Sequence, residues 1–415
     1  MPSDTNRAMI RRAQWPLFLC CCLCCFASMA SMRLCDSMLA ILAAQFAMPI
    51  ERAPQTISLF ALAYGVFQLC SGPLGDWLGK TRMVALAALA CALGNVAAAL
   101  ANNLDQLLAA RFFSGAAAAG IVPLTMAWIG DNTANEQRQE ALARLLGATV
   151  LGMIAGQWGG AALAASLGWR APFLSIAAAF ALGALMTASA SPCTARKVAL
   201  RQLTFVRQTS DILRARWVRL VLLATFVEGS FAYCALAFMP TYLNSAFGLP
   251  LSRAGLIASS YGVGGLLFSL SAKRVTRRFK DAHLARAGGL LFAVSLLALT
   301  ASPRWWCCAP ACALAGFGFY ALHNVLQNHA AQMAPQASGT AVSLFSCVLF
   351  LGQSFGISIG AWRDGHASMR YVFVGCGIGV LALAVAFARV LKRRAAPGDS
   401  IATPDKPAIS RRPRC

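Results

Sequence analysis

Five side chains that carry or can take up a charge interrupt long apolar runs of this sequence: Arg33, Asp36, Arg111, Glu228 and His323. A charged side chain at the centre of a bilayer costs about 2.5–3.5 kcal/mol on insertion scales, so such groups need partners and mark pathways. Asp36 and Glu228 can take up and release a proton, and His323 can titrate near neutral pH. Arg33 stands three residues before Asp36, which on a helix is the same face. Arg111 comes early in the fourth apolar run and Asp36 late in the first, so both reach one outer level. That placement predicts an Asp36–Arg111 pair, a charge triad with Arg33, and Asp36 as a proton site. The competing expectation is a static buried pair that sets helix packing. Glu228 is the one acidic residue inside the apolar runs of the second half. It can carry a proton, meet a cationic ligand, or sit protonated in a structural hydrogen bond. Tyr233 lies just over a turn beyond it. His323, Asn324 and Gln327 share one side at three- and four-residue spacing. Of these, His323 and Asn324 are the cavity candidates, while Gln327, Asn328 and His329 reach the interface.

Lipid is the solvent these groups interrupt. The chain of 415 residues is 58% hydrophobic and 12% charged, with a mean hydropathy of +0.62. A soluble domain has about 25% charged residues. Apolar runs predict spans at 15–40, 56–76, 83–101, 105–129, 144–166 and 172–190, then at 217–240, 253–272, 284–302, 306–327, 339–361 and 371–391. Each must be a helix, because a span in lipid has to satisfy its own backbone hydrogen bonds. The expected architecture is therefore an all-α membrane protein with 12 transmembrane helices in two six-helix, pseudo-symmetric halves. Its expected parts are an N-tail (1–14), a first half (15–190), a linker (191–216), a second half (217–394) and a disordered tail (395–415).

The formal charge of +22 raises the possibility of nucleic-acid binding. The distribution of charge argues against it. Of 36 Lys and Arg, 28 fall in alternate loops, the linker and the tails, six lie on the opposite face, and two lie within spans. By the positive-inside rule both termini are cytoplasmic, in a multi-pass protein of the cell inner membrane. Sixteen cysteines suggest metal or disulfides, but Cys20, Cys21, Cys22, Cys24 and Cys25 crowd one apolar run whose residues point in different directions. They read as small hydrophobes. Only Cys307, Cys308 and Cys312, near an outer loop, are grouped otherwise. A faint repeat sets Tyr64-Gly65-Val66 in span two against Tyr261-Gly262-Val263 in span eight, and in that register Lys80 opposes Arg277.

The most specific pattern closes span two and opens span three: Gly72, Asp76, Gly79, Lys80 and Arg82, at a spacing that resembles the 2–3 loop signature of the major facilitator superfamily. The resemblance implies a latch in which Asp76 meets a basic side chain while Gly72 and Gly79 permit close approach. Trp77 and Thr81 depart from the basic residues common there. Arg111-Phe112-Phe113-Ser114-Gly115 resembles a second signature of the family. Gly152, Gly156 and Gly160, followed by Gly168-Trp169-Arg170, resemble the fifth-span signature of the drug/proton antiporter branch, with Gln157 where a proline is usual. Glycines one turn apart also form a stripe for close helix packing. The family implies that helices one, four, seven and ten line the central path. The polar residues within spans fall on those helices.

The resemblance implies a secondary transporter working by alternating access, and not an enzyme. The sequence has no nucleophile triad, metal-ligand cluster or phosphate loop. Proton-coupled efflux of a small organic molecule is the expected activity, with Asp36, Arg111 and Glu228 coupling the proton and Arg33, Tyr233, His323 and Asn324 lining the cavity. No cofactor is expected beyond the proton gradient, and the chain is expected to act as a monomer without nucleic acid. The alternatives are proton-coupled uptake in the same fold and a non-transporting membrane receptor.

Overall fold

In a computed structural model, the structure describes residues 4–133, 135–190, 209–210, 212–334, 338–364 and 369–395. The expected disordered tail lies outside these residues, apart from Ala395, and so do residues 191–208 and 211 of the linker. Among the described residues there are helices and turns and no strand. The first half comprises α1 (Asp4–Arg33), a short α2 (Leu39–Gln45), α3 (Gln55–Leu78), α4 (Lys80–Ala99), α5 (Leu104–Ala118), α6 (Ile121–Asn132), α7 (Asn135–Leu167) and α8 (Arg170–Ala190). The second comprises α9 (Arg216–Phe247), α10 (Leu251–Arg278), α11 (Asp281–Ala301), α12 (Cys308–Gln332), α13 (Ser338–Asp364) and α14 (Met369–Ala395). Among the described residues, twelve helical segments are long and apolar enough to cross a membrane. With an even count, the start of the first of these segments and the end of the last share one face, here called the terminal face.

The helices differ from the hydropathy pattern in three ways. The first apolar run does not stay helical to residue 40. Helix α1 ends at Arg33, residues 34–38 turn, and α2 follows. Span four is broken at residues 119–120 into α5 and α6, a break that hydropathy does not register. Helices α7, α9 and α10 run past the apolar stretches into polar sequence, which is invisible to a pattern that counts only apolar residues.

The two halves are built on one seam used twice. A Cβ at Gly152, Gly156 or Gly160 of α7 would strike the carbonyl of Phe26, Ala30 or Leu34. In the second half, a Cβ at Gly352 or Gly356 of α13 would strike the carbonyl of Phe226 or Ser230, and one at Gly360 would strike Cys234. Glycine is what lets these backbones touch, and close packing is what binds helices in lipid. Gly115 packs on Phe60 as Gly316 packs on Tyr261. This structural register pairs Tyr261 with Phe60, one helical turn away from Tyr64. It also sets Lys80, the first residue of α4, opposite Asp281, the first residue of α11. The register read from three matching residues, with Lys80 opposite Arg277, is therefore corrected by a turn.

Candidate functional site

Asp36 does not lie on the helix that carries Arg33. It lies in the turn after it, where the end of α1 brings the two together at 3.2 Å. Both are buried, at 0% and 1% exposure. The expected Asp36–Arg111 ion pair does not form. Arg111 on α5 donates from Nε to the Thr56 carbonyl (3.1 Å) and from Nη1 to Ser31 (3.4 Å), and its guanidinium stacks on Phe60 at 4.2 Å. Ser31 in turn donates to Asn95 at 3.5 Å. The apolar-run count placed Arg111 at the correct level of the correct helix. Spacing along two separate helices carries no information on which neighbour a guanidinium turns to. The triad's charges are thus near one another, but only Arg33 bonds Asp36.

Glu228 on α9 and His323 on α12 are brought together, Oε2 to Nδ1 at 3.0 Å. Each stands out separately in the sequence, and their union is a product of the fold. Glu228 is fully buried while the His323 side chain is 14% exposed. Each of these buried carboxylates has one oxygen on a basic partner and the other, Oδ1 of Asp36 and Oε1 of Glu228, without a hydrogen-bond partner among the described residues. A partnerless buried oxygen is a place for a proton.

Tyr233 joins the two groups. The Arg33 guanidinium lies over its ring at 4.8 Å. The Tyr233 ring packs edge-on to Phe319 at 5.5 Å, and Phe319 stacks with His323 at 5.3 Å. This Arg33–Tyr233 contact crosses between the halves. Asn324 is half-buried next to His323 and accepts a hydrogen bond from Asn328 at 3.2 Å. Gln353 on α13, which the sequence reading noted in its glycine-rich run but did not place in the site, is fully buried, with both amide atoms unpartnered among the described residues. A lone Gln within a glycine-rich run carries little signal in sequence.

The site has an open and a closed end. Along the face of α1 that ends at Arg33, Trp15 and Leu19 are exposed, Cys22, Phe26 and Met29 are half-buried, and Arg33 is buried. Along α12, Tyr320, His323 and Asn324 are half-buried, while Gln327 and Asn328 are exposed. Both gradients open toward the terminal face. At the far end every residue of α9 from 234 to 243 is buried. There Ser37 donates to the Gln157 carbonyl at 2.5 Å, and Gly255 of α10 packs against both.

The expected latch is rearranged. Asp76 is exposed and pairs with no described residue; the base Lys80 bonds Asp131 at the end of α6 instead. Helix α3 ends at Leu78, so Asp76 lies in its last turn, whereas Asp131 lies in the last turn of α6 and meets Lys80. A Cβ at Gly72 would meet open space, and the close approach belongs to Gly75, against Leu124. Gly79 is held at φ 91°, where glycine is favoured, and makes the turn between the helices. Arg82 is half-buried nearby. In the second half Asp281, which stands opposite Lys80 in this register, pairs with His329 at 3.1 Å.

A sequence profile described as Major Facilitator Superfamily matches residues 21–227 and again 221–413, once per half. The chain belongs to this superfamily, and is a multi-pass membrane transporter and not an enzyme. It is 23% identical over 325 residues to the uncharacterized MFS-type transporter YceJ of Bacillus subtilis, covering 78% of this chain and 82% of that one. A shorter stretch of 136 residues is 29% identical to Multidrug resistance protein 2 of the same organism, covering 32% of this chain and 34% of that protein. The fold is similar, with a TM-score of 0.76 at 16% identity, to a bacterial homologue of the human lysosomal transporter Spinster in an inward-facing and unoccupied conformation. That likeness covers 92% of this chain and 97% of the other.

Proposed function

We propose that this protein exports a small organic molecule from the cytoplasm in exchange for protons, by alternating access, with both termini cytoplasmic in the inner membrane. The observation that carries the reading is the Glu228–His323 pair: a buried acid and a half-buried base at the head of a space open to the terminal face and closed at the far end. Charges are kept in a membrane interior only where they are used or tightly paired, and this pair borders the path itself. Asp36, held by Arg33, is the second proton candidate, and Arg111 fixes the local charge beside it. The Arg33–Tyr233 contact must break when the halves rock apart at the far end. The likeness to Multidrug resistance protein 2 supports export. The span-five glycines do not, because the same stripe recurs in α13 as ordinary seam packing.

The test is transport in liposomes with an imposed pH gradient and a panel of neutral, cationic and anionic aromatic compounds. Exchange predicts accumulation in vesicles with an acidic lumen, whichever way the protein is inserted. Uptake by proton symport predicts accumulation from an acidic exterior. Glu228→Gln abolishes gradient-driven accumulation and Asp36→Asn weakens it. Transport that responds to the gradient in the same way in both variants removes the proton assignment.

A further inference from the structure

The Glu228–His323 pair leaves one edge of the imidazole unclaimed, and a ligand assigned to that edge rests on proton exchange at this pair. The ring is stacked on Phe319 at 5.3 Å, with Phe345 of α13 tilted against it at 5.4 Å. Nδ1 is engaged by Glu228 at 3.0 Å. Nε2 has no hydrogen-bond partner among the described residues and is not among the buried unpartnered atoms, so it keeps some exposure. When Glu228 is ionised its carboxylate only accepts, so in that state the neutral ring carries its proton on Nδ1 and a lone pair at Nε2. A lone pair facing a cavity can take a proton or the N–H or O–H of a ligand, and it cannot take both.

The walls around that edge differ in chemistry. Because Arg33 faces Tyr233, the residues four, seven and eleven positions before it, Met29, Phe26 and Cys22, face the same way. From α7, Met153 reaches the Tyr320 hydroxyl at 4.0 Å. The first half thus supplies hydrocarbon and polarizable sulfur, which pack well against aromatic rings. The second supplies Tyr233, Phe319, Tyr320 and Asn324. Between them a flat ring fits better than a chain or a sugar. Asp36 and Glu228 are both fully buried behind their bases, so a cation finds no accessible carboxylate. The charged and titratable groups about the pair are Glu228 and Tyr233 on α9, Arg33 on α1, Tyr261 on α10 and Tyr320 on α12 itself; α13 presents the uncharged Phe345.

We propose that the transported compound is an uncharged aromatic molecule bearing an N–H or O–H donor, such as a phenol, an indole or an anilide, and that its donor and the exchanged proton compete for Nε2 of His323. Ligand binding then requires the neutral ring. Protonation of Nε2 places an N–H where the ligand's own donor must sit, and the ligand leaves while Glu228 holds the imidazolium. No covalent bond changes beyond the proton itself.

The experiment measures binding of 2-naphthol to the purified full-length protein in weakly buffered detergent solution, with a pH-sensitive dye, over a series of pH values. Binding releases protons, and lowering the pH weakens it. 2-Methoxynaphthalene, which has the same rings and no donor, binds at least about tenfold more weakly and releases none. In His323→Gln the proton release is lost, and the pH dependence of 2-naphthol binding flattens. Equal binding of the methyl ether overturns the assignment, as does unchanged proton release in His323→Gln. So does preferential binding of a naphthyltrimethylammonium ion. If any of these occurs while a pH gradient still drives transport in liposomes, the ligand assignment alone falls. If no gradient drives any compound, the exchange reading falls with it.

Discussion

The two halves share their seams and differ in their charges. Helix α7 lies on α1 as α13 lies on α9, glycine for glycine. In the first half, however, the buried charges are anchored in several directions: Arg111 to a backbone carbonyl and a serine, and Arg33 to the turn that carries Asp36. In the second half a single acid meets a single base, and that base is partly exposed. A repeated fold therefore does not repeat its chemistry. The first half is arranged to hold charge in place. On the proposed proton-exchange reading the second changes it, because one proton decides the charge of a two-residue cluster beside the proposed path.

Four measurements would break or sharpen that contrast. The largest effect belongs to Glu228→Gln, which lowers gradient-driven transport by about a hundredfold or more, in keeping with the cost of losing a positioned proton-transfer group. Exchange of substrate down its own gradient survives in this variant, and counterflow assays read the difference. Next is the seam. Gly156→Leu and Gly356→Leu each overpack a backbone contact and lower stability by about 1–3 kcal/mol or more, read as loss of folded protein on heating in detergent. A large effect in one half with none in the other would end the claim of equivalent seams. Arg111→Gln leaves the Thr56 carbonyl without its charged donor and costs about 1–3 kcal/mol. Its transport keeps a proton dependence close to that of the wild type, if the first half only holds charge. The smallest effect belongs to Lys80→Ala, which removes an ion pair whose acid is 60% exposed. Such pairs contribute about 1 kcal/mol or less. A severe loss of transport from Lys80→Ala would show that the pair acts as a latch between conformations and contributes more than its energy.

Much of the site was legible because lipid punishes unpaired polarity. Arg33, Asp36, Arg111, Glu228 and His323 stand out against their runs for one physical reason, the cost of desolvating them, and sequence registers that directly. Partner choice was not legible. Asp36 bonds Arg33 because α1 stops at Arg33 and turns, and nothing in an apolar run announces that stop. Lys80 takes Asp131, 51 residues on, in place of Asp76 nearby. Gln353 was not placed in the site because its burial without partners is a property of its surroundings.

The amino-acid sequence by itself determined that the chain crosses a membrane about a dozen times, that its two halves are alike, and that a few polar groups interrupt the spans. These follow from hydrophobic length and composition, which are local and additive along the chain. Only the tertiary structure decided which of those groups meet. Glu228 and His323 are 95 residues apart in sequence and 3.0 Å apart in space. Their contact depends on how two helices, each stable in lipid without the other, are rotated and packed, and rotation about a helix axis is set by the glycine seams and the neighbouring side chains together.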